Sequence, residues 1–134
     1  MDYKIRPMDF DTKMAASIEK LRQSVNQQAW HMTAYAINRA QERGLSYDDV
    51  HHAVQNGRVV EFQYTKDSER LLLRDEYGTC VAFNLTTNCV VTVYHNDPSD
   101  NHATLNESNY ITGYQLKLLQ AHYMMLQEAK EKKI

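Results

Sequence analysis

The sequence holds few of the residues that make loops and linkers. Only 4 glycines and 2 prolines occur among 134 residues, which argues against long flexible connections between elements. No apolar run approaches the ~18 residues that a membrane-spanning helix needs, and the start of the chain shows no signal-peptide pattern. The sequence therefore predicts a cytoplasmic protein that does not associate with a membrane.

An excess of positive charge is also lacking. Lysine and arginine number 15 against 17 aspartates and glutamates, so the formal net charge is −2. Proteins that bind nucleic acid without sequence preference usually carry a strong basic excess. Any binding of nucleic acid must therefore depend on a local cluster of basic side chains rather than on the charge of the whole molecule.

Cysteine is limited to Cys80 and Cys89, both in apolar, strand-like segments. So low a number without a secretion signal predicts reduced, buried thiols rather than a disulfide. Neither thiol has an electropositive neighbour in the sequence, which argues against a cysteine nucleophile. The motifs of phosphate-binding loops, zinc proteases and serine hydrolases are absent as well. The sequence predicts neither a cofactor nor a metal site.

Apolar residues at helical spacing predict the first part of the fold. At 134 residues the chain is expected to form one domain, 1–134. The pattern predicts a first helix within 10–28 and a second over about 30–43, which ends at Gly44 in the left-handed conformation typical of a helix end. Ser46 and, three residues later, an aspartate then form a capping box for a short third helix.

The spacing of apolar residues changes to two after the third helix. Strand-forming residues alternate in four segments joined by short turns, which is the pattern of an antiparallel meander. A polar segment at 97–109 and a long helix at 112–133 follow. The prediction is an α+β fold in which N-terminal helices pack on a four-stranded antiparallel meander, with a long C-terminal helix. The four predicted strands are 58–65, 70–77, 79–85 and 89–96.

The C-terminal helix carries an apolar stripe that suits either the uncovered face of the sheet or an interface between two copies of the chain. His122 belongs to this stripe and is expected to be buried with it. The stripe consists of Leu118, Leu119, His122, Met125, Leu126 and Ala129.

The second predicted helix aligns a tyrosine and two arginines. Tyr35, Arg39 and Arg43 follow one another at intervals of four residues, so their side chains share one side of the helix. Two guanidinium groups beside a phenol form either a solvated charged face or a pocket for an anion. Pairing of Arg43 with Asp48 or Asp49 would favour the first interpretation.

Histidines supply further candidates for a site. His51 and His52 are adjacent on the third helix, and successive helical side chains point about 100° apart, so both cannot face one site. His95 ends the last predicted strand, close to Thr92 and Tyr94. A strand end that faces a helix is a suitable place for catalytic side chains.

The second helix and the last strand resemble a known family. The helix and its turn read AYAxxRAxxRGLS over 34–46, and the last strand contains VTVY at 91–94. This pattern is similar to a bacterial and phage domain of unknown function, family forty-two fifty-eight, across 32–96. That family looks like part of the ribonuclease-like group of barnase, EndoU, colicin and RelE, which occurs among toxins of mobile elements.

The resemblance implies metal-independent cleavage of RNA, in which the ribose 2′-hydroxyl attacks the adjacent phosphate. Guanidinium forks match phosphate oxygens, so the two arginines would hold the phosphate. The predicted helices within 10–28 and 112–133 would be additions to the family core. The candidate catalytic residues are Arg39, Arg43, Tyr35, His95, Thr92 and Tyr94.

Tyr35 stands where members of the family have histidine. A phenol has a pKa of about 10 and is a poor base at neutral pH. Either Tyr35 acts only as a hydrogen-bond donor, or another histidine serves, or the domain has lost catalysis.

The alternative to a ribonuclease is a non-catalytic phage or prophage module that binds a host factor or inhibits a defence protein. The near-neutral charge, the missing helical histidine and the additional C-terminal helix favour this alternative. The expected partners are RNA in the first case and a protein in either case, namely an antitoxin, an immunity protein or a host protein. Association into a homodimer is a further option.

Overall fold

The computed structural model describes residues 3–64, 68–95 and 113–132. The fold is α+β, and this part of the chain forms four α-helices and a six-stranded sheet. The predicted polar segment 97–109 lies outside the described residues. The helices are α1 (Thr12–Val25), α2 (Ala34–Glu42), α3 (Tyr47–Asn56) and α4 (Gly113–Lys132). The strands are β1 (Tyr3–Ile5), β2 (His31–Met32), β3 (Arg58–Tyr64), β4 (Glu69–Arg74), β5 (Thr79–Asn84) and β6 (Cys89–His95).

The sheet is larger than the sequence predicts, and it is mixed. Its strand order is β1-β3-β4-β5-β6-β2, and β2 pairs with β6 in parallel whereas all other neighbours are antiparallel. The prediction of four strands in a wholly antiparallel sheet is therefore wrong. The two additional edge strands have 3 and 2 residues, which is too short for alternation of apolar residues to reveal them.

The second helix begins later than predicted, because the segment before it belongs to the sheet. His31 and Met32 pair with Cys89 and Val90 as β2. Thr33 then caps α2, and its side chain accepts a hydrogen bond from the backbone N–H of Ala36. The cap holds the start of α2 against the beginning of β6.

The helices cover one face of the sheet. In the strands, the residues that face the helices alternate with those that face away, and the first set forms one buried cluster with apolar side chains from all four helices. Its strand residues are Ile5, Phe62, Leu71, Leu73, Val81, Phe83, Val90 and Val93, and its helix residues include Ile18, Ala36, Ala40, Val50 and Tyr123.

A β-bulge in β3 changes which side chains face the helices. The pairing with β4 shifts between Val59 and Glu61, so one additional residue enters the strand there. Val60 consequently packs with Leu72 and Ala82 on the other face, whereas Val59 contacts the helix-side core. Simple alternation predicts the opposite assignment for both valines, and that prediction is wrong.

The turn between α2 and α3 has the predicted geometry. Gly44 has φ 69°. Its N–H donates to the Gln41 carbonyl and the N–H of Leu45 donates to the Ala40 carbonyl, which together form a Schellman motif. Ser46 follows with both hydrogen bonds of the predicted capping box. The turn therefore fixes where α3 starts.

The C-terminal end of α3 is held by α1. The guanidinium of Arg22 donates hydrogen bonds to the carbonyl oxygens of Val54, Gln55 and Gly57, which the helix leaves without partners. Burial lowers the pKa of Arg22. A Cβ atom at Gly57 would lie 2.4 Å from the Ala53 carbonyl oxygen, so this close approach requires glycine.

The buried side of α4 differs from the predicted apolar stripe. Leu118, Met125 and Leu126 are exposed, as is His122, and that part of the prediction is wrong. Polar contacts explain the rotation of the helix. The hydroxyl of Tyr123 donates to Glu69, and the side chain of Gln120 binds backbone groups of Asp9 and Asp11. The buried side of α4 consists of Leu116, Leu119, Gln120 and Tyr123.

Candidate functional site

The tyrosine and the two arginines of α2, here called the arginine stripe, lie on the solvent side of the helix. Arg39 donates to the hydroxyl of Tyr35 at 3.0 Å and to the Glu42 carboxylate at 3.2 Å. Both hydrogen bonds raise the pKa of Arg39. Arg43 is exposed and makes no ion pair or hydrogen bond through its side chain within the described residues. The stripe is arranged as a solvated face.

Thr92 and Tyr94 lie on the opposite side of the sheet from α2. They pair with Ala82 and Cys80, and the row of Thr92 and Ala82 continues to Leu72 on the face that the helices do not cover. The structure therefore does not bring these two side chains together with the arginine stripe.

His95 is on the helix side, because it shares its face of β6 with Val93. Its Nε2 lies 3.0 Å from the carbonyl oxygen of Tyr77. A carbonyl oxygen only accepts hydrogen bonds, so Nε2 carries a proton and donates. The other ring nitrogen, Nδ1, makes no hydrogen bond within the described residues and is available to a ligand.

His95 lines a cavity of about 240 Å³ at the end of the sheet. Side chains from the α2–α3 turn, α3, the β4–β5 turn and the strand ends form its wall, and most of them are polar. We call this cavity the polar pocket. Its lining residues are Leu45, Asp49, His52, Asp75, Tyr77, Thr79 and His95.

Asp75 is the most unusual group of the polar pocket. It follows β4 and is only 5% exposed. Its Oδ1 accepts the backbone N–H groups of Tyr77 and Thr79 at 2.9 and 3.0 Å, which closes the β4–β5 turn. Its Oδ2 is buried and has no hydrogen-bond donor within the described residues. An unsatisfied buried oxygen is costly, so a hydrogen-bond donor from outside the described residues would stabilise this carboxylate.

His52 stands on the opposite wall of the polar pocket. Its Nε2 contacts the Glu76 carboxylate, and its Nδ1 lies 3.1 Å from the side-chain nitrogen of Asn56. The backbone N–H of Glu76 and the imidazole both lower the pKa of the Glu76 carboxyl. Both ring nitrogens of His52 therefore have partners, whereas Nδ1 of His95 has none within the described residues.

The sequence could not reveal the polar pocket as a unit. His51 and His52 point in different directions, as expected for adjacent helical residues: His52 lines the polar pocket, whereas His51 contacts the rings of Trp30 and Tyr47. The predicted strand 70–77 includes Asp75, whereas β4 ends at Arg74 and Asp75 lies in the turn that follows. Asp75 was missed because nothing in the sequence shows that its carboxylate is buried beside His95.

A second cavity, of about 510 Å³, lies on the other side of Leu45. We call it the apolar groove. Trp30 and Tyr47 stack at its wall with ring centroids 5.9 Å apart, and Ile37 contributes a side chain that is 44% exposed. The remaining lining residues are His31, Met32, Ala40, Gln41 and Val50. The groove can accept an apolar or aromatic group.

Comparison with models of protein families, with curated proteins and with solved structures finds no match. Among the described residues, no three side chains of histidine, cysteine, aspartate or glutamate are grouped so that they could hold a metal ion. Each helix in this part of the chain is too short or too polar to cross a membrane.

Proposed function

We propose that the chain is a ribonuclease-like enzyme that cleaves RNA by acid–base chemistry in the polar pocket. The observation that carries the proposal is that Asp75 and His95 line one cavity, the first with a buried Oδ2 that has no donor and the second with a free Nδ1 in the described residues. A carboxylate and an imidazole in one cavity are the groups that general base and general acid catalysis require. The choice of RNA as substrate derives from the resemblance of the α2–α3 region and β6 to a ribonuclease-like family.

In this mechanism Oδ2 of Asp75 takes the proton of a ribose 2′-hydroxyl. The 2′-oxygen then attacks the adjacent phosphorus, and the bond from phosphorus to the 5′-oxygen breaks. The leaving 5′-oxygen receives a proton from Nδ1 of the His95 imidazolium. The products are a 2′,3′-cyclic phosphate and a 5′-hydroxyl, and no metal is needed for any proton transfer.

The backbone prepares both groups for these roles. Two N–H groups fix Oδ1 of Asp75 and so direct the carboxylate, and the Tyr77 carbonyl fixes the ring of His95. Because Tyr77 contacts both side chains, one hairpin turn positions the base and the acid together. Neither Arg39 nor Arg43 lines the polar pocket, and the proposal gives neither a catalytic role.

The test is cleavage of a short single-stranded RNA and of its 2′-deoxy analogue by the purified chain in the presence of a chelator. Wild type should cut only the RNA and leave a cyclic phosphate. Asp75→Asn keeps an oxygen for the two N–H groups but cannot take a proton, so its cleavage rate should fall at least about 100-fold. His122→Asn, which changes an exposed side chain on α4, is the matched control. Intact RNA with wild type, or undiminished cleavage by Asp75→Asn, would contradict the proposal.

The role of a toxin from a phage or mobile element is part of this proposal. Inducible expression should arrest bacterial growth with wild type and not with Asp75→Asn at equal protein levels. Normal growth with wild type would remove the toxin role.

An exposed apolar surface on α4 favours a second candidate function, the binding of another protein chain. Tyr114, Leu118 and Met125 are 74%, 52% and 67% exposed, and their spacing of four and seven residues places them on one side of the helix. Apolar side chains grouped on a surface mark contact sites more often than scattered ones do. A second copy of the chain is the simplest occupant.

Light scattering over a range of concentrations tests this second candidate. Wild type should associate into a homodimer, and the double variant Leu118→Gln, Met125→Gln should remain a monomer. The matched control is Glu128→Gln, an exposed change on the same helix. A wild-type monomer at high concentration would exclude self-association through α4.

A further inference from the structure

A thiol and an imidazole meet where β2 pairs with β6. The Sγ atom of Cys89 lies 2.9 Å from Nε2 of His31, its register partner in the sheet. The same thiol can donate its proton to the carbonyl oxygen of Thr87 at 3.3 Å, so this carbonyl competes with His31 for the proton. His31 is 58 residues away along the chain, so no basic neighbour of Cys89 is visible in the sequence. Folding therefore creates a thiol–imidazole pair that corrects the expectation of an isolated thiol.

The pair borders the apolar groove. His31 is exposed and lines the groove, whereas Cys89 is 7% exposed directly behind it. The imidazole of His31 therefore lies between the groove and a cysteine that keeps only a small exposed fraction. The other cysteine has a different environment, because Cys80 is fully buried in β5 and its thiol donates weakly to the Gly78 carbonyl at 3.6 Å.

We infer that Cys89 is a modification site, a thiol that His31 activates toward small electrophiles such as hydrogen peroxide. A thiolate is the reactive form of cysteine, and a neighbouring imidazole that accepts the thiol proton increases its population. Cysteines that respond to oxidants combine such a base with access for a small molecule. Cys89 has His31 as such a base and keeps 7% exposure, whereas Cys80 is fully buried.

The reaction is balanced within this pair and the peroxide. Nε2 of His31 takes the thiol proton, and the thiolate sulfur attacks one oxygen of hydrogen peroxide. The O–O bond breaks, and the departing hydroxide takes the proton from the imidazolium to leave as water. The sulfur is oxidised to a sulfenic acid while the peroxide is reduced.

Oxidation of Cys89 would change the position of His31, which lines the apolar groove. An oxygen on the sulfur replaces the contact between Cys89 and His31, and the backbone hydrogen bonds between this segment and β6 remain. Two of these are 3.2 Å from the His31 N–H to the Asn88 carbonyl and 3.0 Å from the Thr33 N–H to the Val90 carbonyl. Trp30, which precedes β2, is the single tryptophan of the chain and reports any change through its fluorescence.

The experiment treats the purified full chain with hydrogen peroxide, traps sulfenic acid with dimedone and measures each cysteine by mass spectrometry. Cys89 should be modified at least about tenfold faster than Cys80, and the His31→Gln variant should lose this advantage while His122→Gln keeps it. Wild-type Trp30 fluorescence should change on oxidation, and that of Cys89→Ser should not.

Two results would overturn the inference. One is modification of Cys89 in wild type no faster than of Cys80, a comparison that needs no variant. The other is an unchanged rate in a His31→Gln protein whose circular dichroism matches that of wild type.

Discussion

The arginine stripe of α2 and the polar pocket are both rich in polar side chains, but they satisfy these side chains in opposite ways. In the stripe, Arg39 binds Tyr35 and Glu42, which lie within four residues on the same exposed helix. In the pocket, Asp75 is buried and retains one oxygen without a donor in the described residues. The stripe needs nothing further, whereas the pocket lacks a hydrogen-bond donor that a substrate can supply.

The contrast shows that regular spacing of charged residues along a helix is weak evidence for a catalytic or binding site. Spacing of four residues brings guanidinium groups to one side of any helix, where water and helical neighbours satisfy them. A buried carboxylate oxygen without a donor is costly in a folded protein, so its position needs a physical explanation. If the pocket, and not the stripe, performs the chemistry, substitutions in the pocket should slow RNA cleavage and substitutions in the stripe should not.

The largest expected effect concerns the acid of the proposed mechanism. His95→Ala removes the proton donor for the leaving oxygen, so RNA cleavage should slow by roughly 10²–10⁴-fold. Single-turnover rates with excess enzyme measure the chemical step. Because His95 is exposed, the variant should fold normally.

Arg43→Ala is the matched measurement for the stripe. Its cleavage rate should stay close to that of wild type, because Arg43 does not line the polar pocket. A loss as large as that of His95→Ala would show that the arginines hold the phosphate, as the sequence resemblance implies, and would place the site on α2.

The next effect concerns stability. Asp75→Ala leaves the N–H groups of Tyr77 and Thr79 without their acceptor in a buried turn, which should lower the free energy of unfolding by about 2–4 kcal/mol. Asp75→Asn retains the acceptor and should stay within about 1 kcal/mol of wild type. Urea unfolding of the three proteins measures both differences. Equal losses in the two variants would mean that Oδ2, and not Oδ1, stabilises the fold.

The fold was predictable where local rules decide. Gly44 and the capping box of Ser46 fix the α2–α3 turn through contacts within a few residues, and the sequence shows them directly. The four long strands were predicted from another local signal, the alternation of apolar and polar residues along each segment. The short edge strands were missed, since the pairing of His31 with Cys89 depends on the sheet that receives it.

Which side chains face one another was not predictable at the points where single residues alter the geometry. The bulge at Val60 exchanged the faces of two valines, and Tyr123 and Gln120 turned α4 away from its apolar stripe through hydrogen bonds to distant groups. The polar pocket shares this origin. Asp75 and His52 lie on different elements, and only the packing of α3 on the sheet brings them to one cavity.

A moderate effect is expected at the helix that carries His52. Ser46→Ala removes the side chain that accepts the Asp49 N–H at the start of α3, and loss of such a cap costs about 1 kcal/mol. Thermal unfolding measures this loss, and Ser46→Asp, which can still cap the helix, is the control. No loss in Ser46→Ala would show that packing alone fixes the start of α3.

A smaller effect depends on pH. Hydrogen bonds from the backbone and side chain of Ser46 lower the pKa of Asp49. A carboxyl whose pKa is lower in the folded state stabilises the fold above its ordinary pKa of about 3.9, and this contribution is lost as the pH falls through the lowered value. The stability difference between wild type and Asp49→Asn should therefore be present at pH 6 and shrink at pH 2–3. A stability difference between wild type and Asp49→Asn that does not depend on pH would mean that the pKa of Asp49 is not lowered in the folded state.

The smallest effect is expected at Arg39. The contacts of Arg39 with Tyr35 and Glu42 are exposed, and solvent replaces such hydrogen bonds at little cost. Arg39→Ala should therefore leave the urea midpoint unchanged within error, at low and at high salt, and should cleave RNA like wild type. Because alanine also favours the helix, even a small gain in stability agrees with a solvated face. A clear loss of stability that added salt diminishes would instead mean that the stripe is a coupled charge cluster, and the contrast between stripe and pocket would then disappear.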